Sequence, residues 1–296
     1  MTEQHDPRYA DIDTWPTLDA VAAMIDGQAD AIASIKGQAA AIALAADAAA
    51  ERLKSGGRLA YAGAGTSGRV AVQDGVELGP TFGWPEARLV YIMAGGMEAL
   101  AHSAEGAEDD ADGARTLVVV NGITANDVLI GVAASGRTPF TISAVETARA
   151  AGALTIAIAN NPGSALLATA DHALLADTGS ELIAGSTRMK AGTAQKAVLN
   201  VLSTTIMLRL GRVYRGLMVD MVISNEKLLH RAHDIVRTLT DCSDDVAIRA
   251  VETARHNIKA AVLIALGESP EQALTLLQRY NGDLRASIDV LNGRTQ

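Results

Sequence analysis

The sequence predicts an α/β fold: a parallel sheet covered by helices on both faces, with helices ahead of it and a small helical module behind it. Three observations carry this expectation. Short apolar runs alternate with helix-length segments through the middle of the chain. Glycine- and hydroxyl-rich loops follow two of those runs. Both ends of the chain read with helical periodicity.

From Thr17 to Leu53 apolar positions such as Leu18, Val21, Ile25, Ile32 and Ile35 recur at helical spacing, which predicts two helices stopped by Ser55-Gly56-Gly57. Arg58-Leu59-Ala60-Tyr61-Ala62 reads as a strand that runs into Gly63-Ala64-Gly65-Thr66-Ser67-Gly68, followed by a helix through Val70, Val72 and Val76. Leu89 to Met93 is the second strand, ended by Gly95-Gly96. A helical stretch from Glu98 to about Ala107 and an acidic one to Arg115 come next. The third strand, Asp127 to Val132, ends in Ala134-Ser135-Gly136-Arg137-Thr138-Pro139. A helix from about Thr141 to Ala151, strands Leu154 to Ile158 and His172 to Ala176, and a long helix from about Thr187 to Leu210 complete the pattern. Apolar strands separated by helices form parallel sheets buried on both faces.

From Asp244 the chain is helical again, and Ser269-Pro270-Glu271-Gln272 is a helix start: a Ser N-cap, Pro in the first turn and Gln at the capping-box position. The expected division is an N-terminal helical segment over residues 1–54 packing on the core, a main domain over 55–240, and a three-helix module over 241–296.

The 296 residues suffice for one large α/β domain with an appendage. With 49% hydrophobic and 20% charged residues the balance is that of a globular chain. Aromatics are only 3%, so abundant Ala and Gly predict close packing around a shallow polar cleft. A net charge of −9 argues against a nucleic-acid partner, whose phosphates it repels. It leaves room for a small anion held by backbone N–H groups. The single Cys242 excludes an intramolecular disulfide and a cysteine zinc cluster. The polar, acidic start shows no secretory signal, and no apolar stretch is long enough to span a bilayer. A soluble, cytoplasmic protein without membrane contact is the expectation.

Gly63-x-Gly65-x-x-Gly68 fits the dinucleotide fingerprint, which also calls for an acidic residue at the end of the second strand. That strand ends Tyr91-Ile92-Met93-Ala94-Gly95-Gly96, without one. Thr66 and Ser67 put hydroxyls in the loop instead, which suits a terminal phosphate monoester. Ser135-Gly136-Arg137-Thr138 is a second such loop in the same topological position. Each leads into a helix N-terminus, so N–H groups and hydroxyls from both can converge on one phosphate. The alternative is that these Ser and Thr only cap their helices.

Read with the segments between them, these loops resemble the SIS (sugar isomerase) fold and, more closely, the N-acetylmuramic acid 6-phosphate etherase family. The matching segments run in order along nearly the whole chain: Gly63 to Arg69, Glu77 with Pro80-Thr81-Phe82-Gly83, Glu105-Gly106-Ala107-Glu108-Asp109, Ala134 to Pro139, Gly185 to Lys196 and Asn225-Glu226-Lys227. Thr2-Glu3 at the start is similar too. The resemblance implies a SIS-type three-layer sandwich, with residues 55–240 as a sugar-phosphate-binding domain. It also implies a homodimer without metal or organic cofactor, a lyase converting an amino-sugar phosphate and water to N-acetylglucosamine 6-phosphate and D-lactate. The family's two functional glutamates fall on Glu77 and Glu108. Its Ser-Glu-Cys-Pro-Pro-Thr-Phe-Gly segment reads Val76-Glu77-Leu78-Gly79-Pro80-Thr81-Phe82-Gly83 here, so the carboxylate stays while its neighbours differ.

Two carboxyl groups suffice for that chemistry. In the open-chain sugar the C2 proton is α to the aldehyde and the lactyl ether leaves from C3. One ionised group can take the proton and one protonated group can serve the departing oxygen, provided their environments differ. The expected roles are Glu108 as base and Glu77 as acid. Without the resemblance, Glu108 reads as one of a run of acids, with Glu105, Asp109, Asp110 and Asp112, on a solvated helix face.

The candidate substrate-binding residues are Gly65, Thr66, Ser67, Ser135, Gly136, Arg137 and Thr138, with Glu181, Ser186 and Lys190 from the region of the Gly185 block. Arg188 and Lys190 can neutralise a phosphate or an oxyanion, or brace the loop or the dimer interface. Glu181 reads as a sugar contact or as a loop residue. His230 and His233 stand at i, i+3 beside Asp234, superficially a metal site, and read as surface residues. Two other functions remain open: a sugar-phosphate aldose–ketose isomerase, and a non-enzymatic sensor similar to glucokinase regulatory protein.

Overall fold

The computed structural model describes residues 2–102 and 104–293. Two helices open the chain, α1 (Thr17–Ser34) and α2 (Ala39–Lys54), joined by a short 3-10 turn. The core follows as β1 (Leu59–Gly63), α3 (Gly65–Phe82), β2 (Leu89–Met93), α4 (Ala111–Val120), β3 (Val128–Ala133), α5 (Pro139–Ala150), β4 (Leu154–Ala159), α6 (Ala165–Thr169), β5 (His172–Leu175) and α7 (Lys190–Arg209). A two-stranded antiparallel ribbon, β6 (Val213–Tyr214) and β7 (Leu217–Met218), precedes α8 (Glu226–Thr240), α9 (Asp244–Thr253), α10 (Ile258–Ala265), α11 (Pro270–Arg279) and α12 (Leu284–Leu291).

The main sheet is parallel, in the order β2-β1-β3-β4-β5. Every residue of β1 and β3 is buried, as strands covered on both faces require. Successive side chains alternate between the faces. Ala60, Ala62, Val90, Ile92 and Leu129 pack on one side with Ala114 and Val118 of α4 and Ala144, Val145 and Ala148 of α5. Tyr61 points to the other side, where its hydroxyl meets Asp74 of α3 at 2.9 Å. Asp74 in turn accepts from Asn200 and Ser203 of α7 at 2.7 and 3.1 Å. The α/β parallel sheet expected from the sequence is therefore present.

Two expectations need correction. The stretch from Glu98 to Ala107, which spans residue 103 outside the described residues, is not an α-helix. Its described parts hold only short 3-10 turns, Met97–Leu100 and Ala107–Asp109. Gly106 has φ +71°, a left-handed conformation that an α-helix does not contain. Beyond residue 240 the described residues form four short helices where a three-helix module was expected. The expected capping box at Ser269 and Gln272 starts one of them.

The chain divides into two compact units, one of residues 1–75 and 87–206, the other of 76–86 and 207–296. The first holds the whole main sheet. The second has its own apolar core, in which Val236, Ala247, Val251, Ala261, Leu263 and Ala273 are fully enclosed. The division falls within α3, so the last turns of that helix are counted with the second unit.

Candidate active site

In an open parallel sheet, ligands bind outside the carboxyl ends of the strands where the strand order reverses. Here that place lies between β1 and β3. The register puts Gly63 level with Met93 of β2 and Val132 of β3, so the segments leaving all three strands start from one edge.

The first loop turns directly from β1 into α3, leaving Gly65 exposed, Thr66 half-buried and Ser67 buried. Thr66 and Ser67 both stand in the first turn of α3, and among the described residues neither hydroxyl makes a side-chain hydrogen bond. In the second loop the Ser135 hydroxyl accepts from the Arg137 N–H at 3.1 Å, a local turn. Gly136 has φ +62° and lies against Ser164, so a side chain there meets both strain and a neighbour. Arg137 is exposed and Thr138 half-buried. Thr138 is the N-cap of α5, but its side chain makes no capping bond. Capping alone therefore does not account for this hydroxyl.

The Gly185 block runs beside the first loop. A Cβ placed on Gly192 would sit 3.4 Å from the Thr66 methyl. Ser186 is half-buried and gives its N–H to the Ile183 carbonyl at 2.9 Å. Glu181 is fully buried and accepts from the N–H groups of Lys190 at 3.0 Å and Ala191 at 2.9 Å. Both oxygens of Glu181 thus cap the start of α7, which explains why that helix begins at Lys190 and not at Thr187. Of the readings open for Glu181, the geometry is that of a structural residue. Lys190 donates from Nζ to the Ser180 carbonyl at 3.0 Å, bracing the same loop. Arg188 is exposed.

Two residues not singled out by the sequence reading tie these loops together. Thr2 is fully buried, and its N–H donates to Asn161 Oδ1 at 3.2 Å while its carbonyl accepts from the Gly185 N–H at 3.2 Å. Asn161 Nδ2 donates to the Thr2 hydroxyl at 3.0 Å and to the Ala134 carbonyl at 3.2 Å. The only sequence signal for this was the Thr2-Glu3 resemblance.

Glu108 opens into a cavity of about 320 Å³, within the size range of small-molecule sites. Its wall includes Gly65, Arg69, Met93, Ala94, Glu105 and Glu108. The cavity therefore joins the start of α3 to the segment after β2. Arg69 and Glu105 were missed as site residues, although both lie in the motif segments. Glu108 is exposed, on the 3-10 turn where a helix face was expected.

Glu77 belongs to the second unit. Leu78 and Phe82 bury their side chains while Glu77 is exposed. This turn of α3 is held by Val222, whose N–H donates to the Pro80 carbonyl at 3.1 Å, and by Arg212, which donates to the carbonyls of Phe82 and Gly83 at 3.3 Å. Arg212 faces Asp220 at 3.8 Å, and Lys259 pairs with Asp220 at 2.5 Å. Burial pushes the Asp220 carboxyl above its usual value and the Lys259 ammonium below its own, each opposed by the charge of the other.

In the second unit His230 and His233 lie with ring centroids 6.3 Å apart, edge to face. Burial, followed by the His230 charge, holds His233 below the ordinary histidine value. Among the described residues no cluster of three His, Cys, Asp or Glu is disposed to hold a metal ion.

A parallel sheet in this order, with hydroxyl-bearing loops at its point of reversal, is the architecture of a SIS domain, and the family models assign that class. The family model described as SIS domain matches residues 110–205, and that of the glucokinase regulatory protein N-terminal SIS domain matches residues 41–149. A solved structure from Bacteroides fragilis, described as a phosphosugar isomerase involved in capsule formation, shares the fold. Its TM-score is 0.53 at 20% identity, over 68% of this chain and 95% of that one.

Within that class the chain belongs to the N-acetylmuramic acid 6-phosphate etherase family. It is 47% identical to the etherase of Deinococcus radiodurans, over 96% of this chain and 93% of that one. It is 46% identical to that of Streptomyces avermitilis, over 97% and 93%.

Proposed function

We propose that Glu108 and Glu77 are the base and the acid of this chain's reaction. The chain is a carbon–oxygen lyase that cleaves the D-lactyl ether of N-acetylmuramic acid 6-phosphate in the recycling of cell-wall sugar. The 6-phosphate is received by the loops at Thr66–Ser67 and Ser135–Thr138, where hydroxyls and helix-start N–H groups supply donors. With the sugar ring open, Glu108 takes the C2 proton and the electrons form an enolate conjugated with C1. Expulsion of the C3 oxygen, with a proton from Glu77, releases D-lactate and leaves a C2–C3 double bond. Water then adds at C3 and a proton returns to C2, giving N-acetylglucosamine 6-phosphate.

The observation that supports the role of Glu108 is the cavity it shares with Gly65 at the carboxyl edge of the sheet, beside the loops of the switch point, while the role of Glu77 rests on the family resemblance. Incubating the purified protein with N-acetylmuramic acid 6-phosphate and measuring D-lactate is the test. Release of lactate separates the lyase from an aldose–ketose isomerase and from a sensor, neither of which frees it. No lactate would end the reading.

The remaining parts of the reading are a small phosphorylated amino sugar as the ligand, a homodimer and a cytoplasmic site of action. The homodimer is supported by α1, where Leu18, Ile25 and Ile32 are 77%, 63% and 45% exposed along one face. Light scattering at two concentrations tests it. Among the described residues no helix is long and apolar enough to cross a membrane.

A further inference from the structure

The cavity at Glu108 contains a charge that proton transfer leaves unused. Among the described residues Arg69 is the one cation in its wall; the other charged groups there are the carboxylates of Glu105 and Glu108. Arg69 Nε donates to the carbonyls of Ala99 at 3.0 Å and Leu100 at 3.2 Å, at the end of a 3-10 turn. One edge of the guanidinium is therefore fixed. Among the described residues Arg69 forms no ion pair with a carboxylate. The remaining wall is small or apolar, with Ala94, Ala99 and Met93.

We infer that Arg69 binds the carboxylate of the substrate's lactyl arm, an assignment that rests on the etherase reading. The substrate is anionic at both ends, with a phosphate on C6 and a carboxylate on the arm at C3. A carboxylate entering a cavity that already holds two others is repelled unless a cation meets it. A guanidinium does so with two parallel hydrogen bonds, and its anchored edge lowers the entropy lost on forming them. The alanines beside it suit the lactyl methyl group. Arg69 lies in α3 close after Thr66 and Ser67, so one helix start serves both anionic ends of the sugar. A sugar lacking the arm leaves this cation unpaired, which makes Arg69 a determinant of specificity.

The test is calorimetric binding to the Glu108→Gln protein, in which turnover should be about 10²- to 10⁴-fold slower, with and without Arg69→Gln. N-acetylmuramic acid 6-phosphate should bind about 10- to 100-fold more weakly to the double variant, while N-acetylglucosamine 6-phosphate binds within about twofold. Equal losses for both sugars, or no loss for the muramyl sugar, overturn the assignment. A second measurement needs no change at Arg69. The neutral carboxamide of the lactyl arm should bind the Glu108→Gln protein about 10- to 100-fold more weakly than the acid. Equal binding of amide and acid overturns the assignment as well. Failure of the etherase reading shows separately, as absence of D-lactate from the wild-type protein.

Discussion

Gly63 and Gly68 approach so closely that a Cβ on Gly63 would lie 2.9 Å from both the Cα and the N of Gly68. This contact across the first loop folds α3 back against the end of β1 and sets where Thr66 and Ser67 point. A Cβ on Gly68 would in turn lie 2.8 Å from the Gly63 carbonyl oxygen and collide with Met93 Sδ. Met93 can move aside; the strand backbone has no such freedom. Gly68→Ala should therefore cost about 1–3 kcal/mol in urea unfolding and raise KM by displacing Thr66 and Ser67. Wild-type stability and KM together would show the approach to be looser than this.

Replacing Glu108 or Glu77 by Gln preserves size and removes the carboxyl proton chemistry. Each variant should lose about 10²- to 10⁴-fold in kcat, with much smaller changes in KM, in a D-lactate assay. A rate near that of the wild type would remove the residue from the mechanism.

Glu181 offers a sharper separation of structure from binding. Both its oxygens accept backbone N–H bonds from the start of α7, so Glu181→Gln should lower stability by about 1–2 kcal/mol with little change in KM. A raised KM at unchanged stability would instead make it a sugar contact.

Asp127 is 2% exposed and joins the starts of β1 and β3, accepting from the Arg58 side chain and N–H and from the Thr124 N–H. Burial by itself raises its pKa. The hydrogen bonds and charge of Arg58 outweigh this, and the folded value lies below the usual one. The folded state then binds this proton less readily than the unfolded state. The stabilisation is complete above the unfolded value of about 4 and is lost as pH falls through the lower folded value. Asp127→Asn should cost about 2–3 kcal/mol at pH 7, and its stability should fall less steeply than that of the wild type as the pH drops below about 4. Parallel stability curves below about pH 4 would contradict the assignment.

In the second unit the Lys259–Asp220 pair sits beside the turn that carries Glu77. Asp220→Ala strands a buried ammonium and should cost about 3–5 kcal/mol, much of which the double change Lys259→Met with Asp220→Leu should recover. Additive losses in chemical denaturation would show that the ammonium is not the source of the cost.

Much of the fold is written in short-range pattern. The run Leu89 to Met93 is bounded by turn residues and forms β2 with those limits, and Ser269 with Gln272 starts α11 through a capping box. Hydroxyls after two strands marked the two segments that leave β1 and β3 at the point where the strand order reverses, because a loop's composition reflects the groups its own backbone must present. Between Glu98 and Ala107 the apolar spacing suggested a helix, but Gly106 takes a left-handed turn and the segment becomes part of a cavity wall.

The sequence by itself determined most of the element types and the two loops, and its resemblance pointed to the pair Glu77 and Glu108. Only the tertiary structure decided what those residues stand beside. It enclosed Arg69 in one cavity with Glu108, gave Glu181 to a helix start, and counted Glu77 with residues 207–296. The reason is range. A strand or cap is set by neighbours a few positions away, whereas Thr2 meets Asn161, and Asp74 meets Asn200, only after the whole sheet has closed.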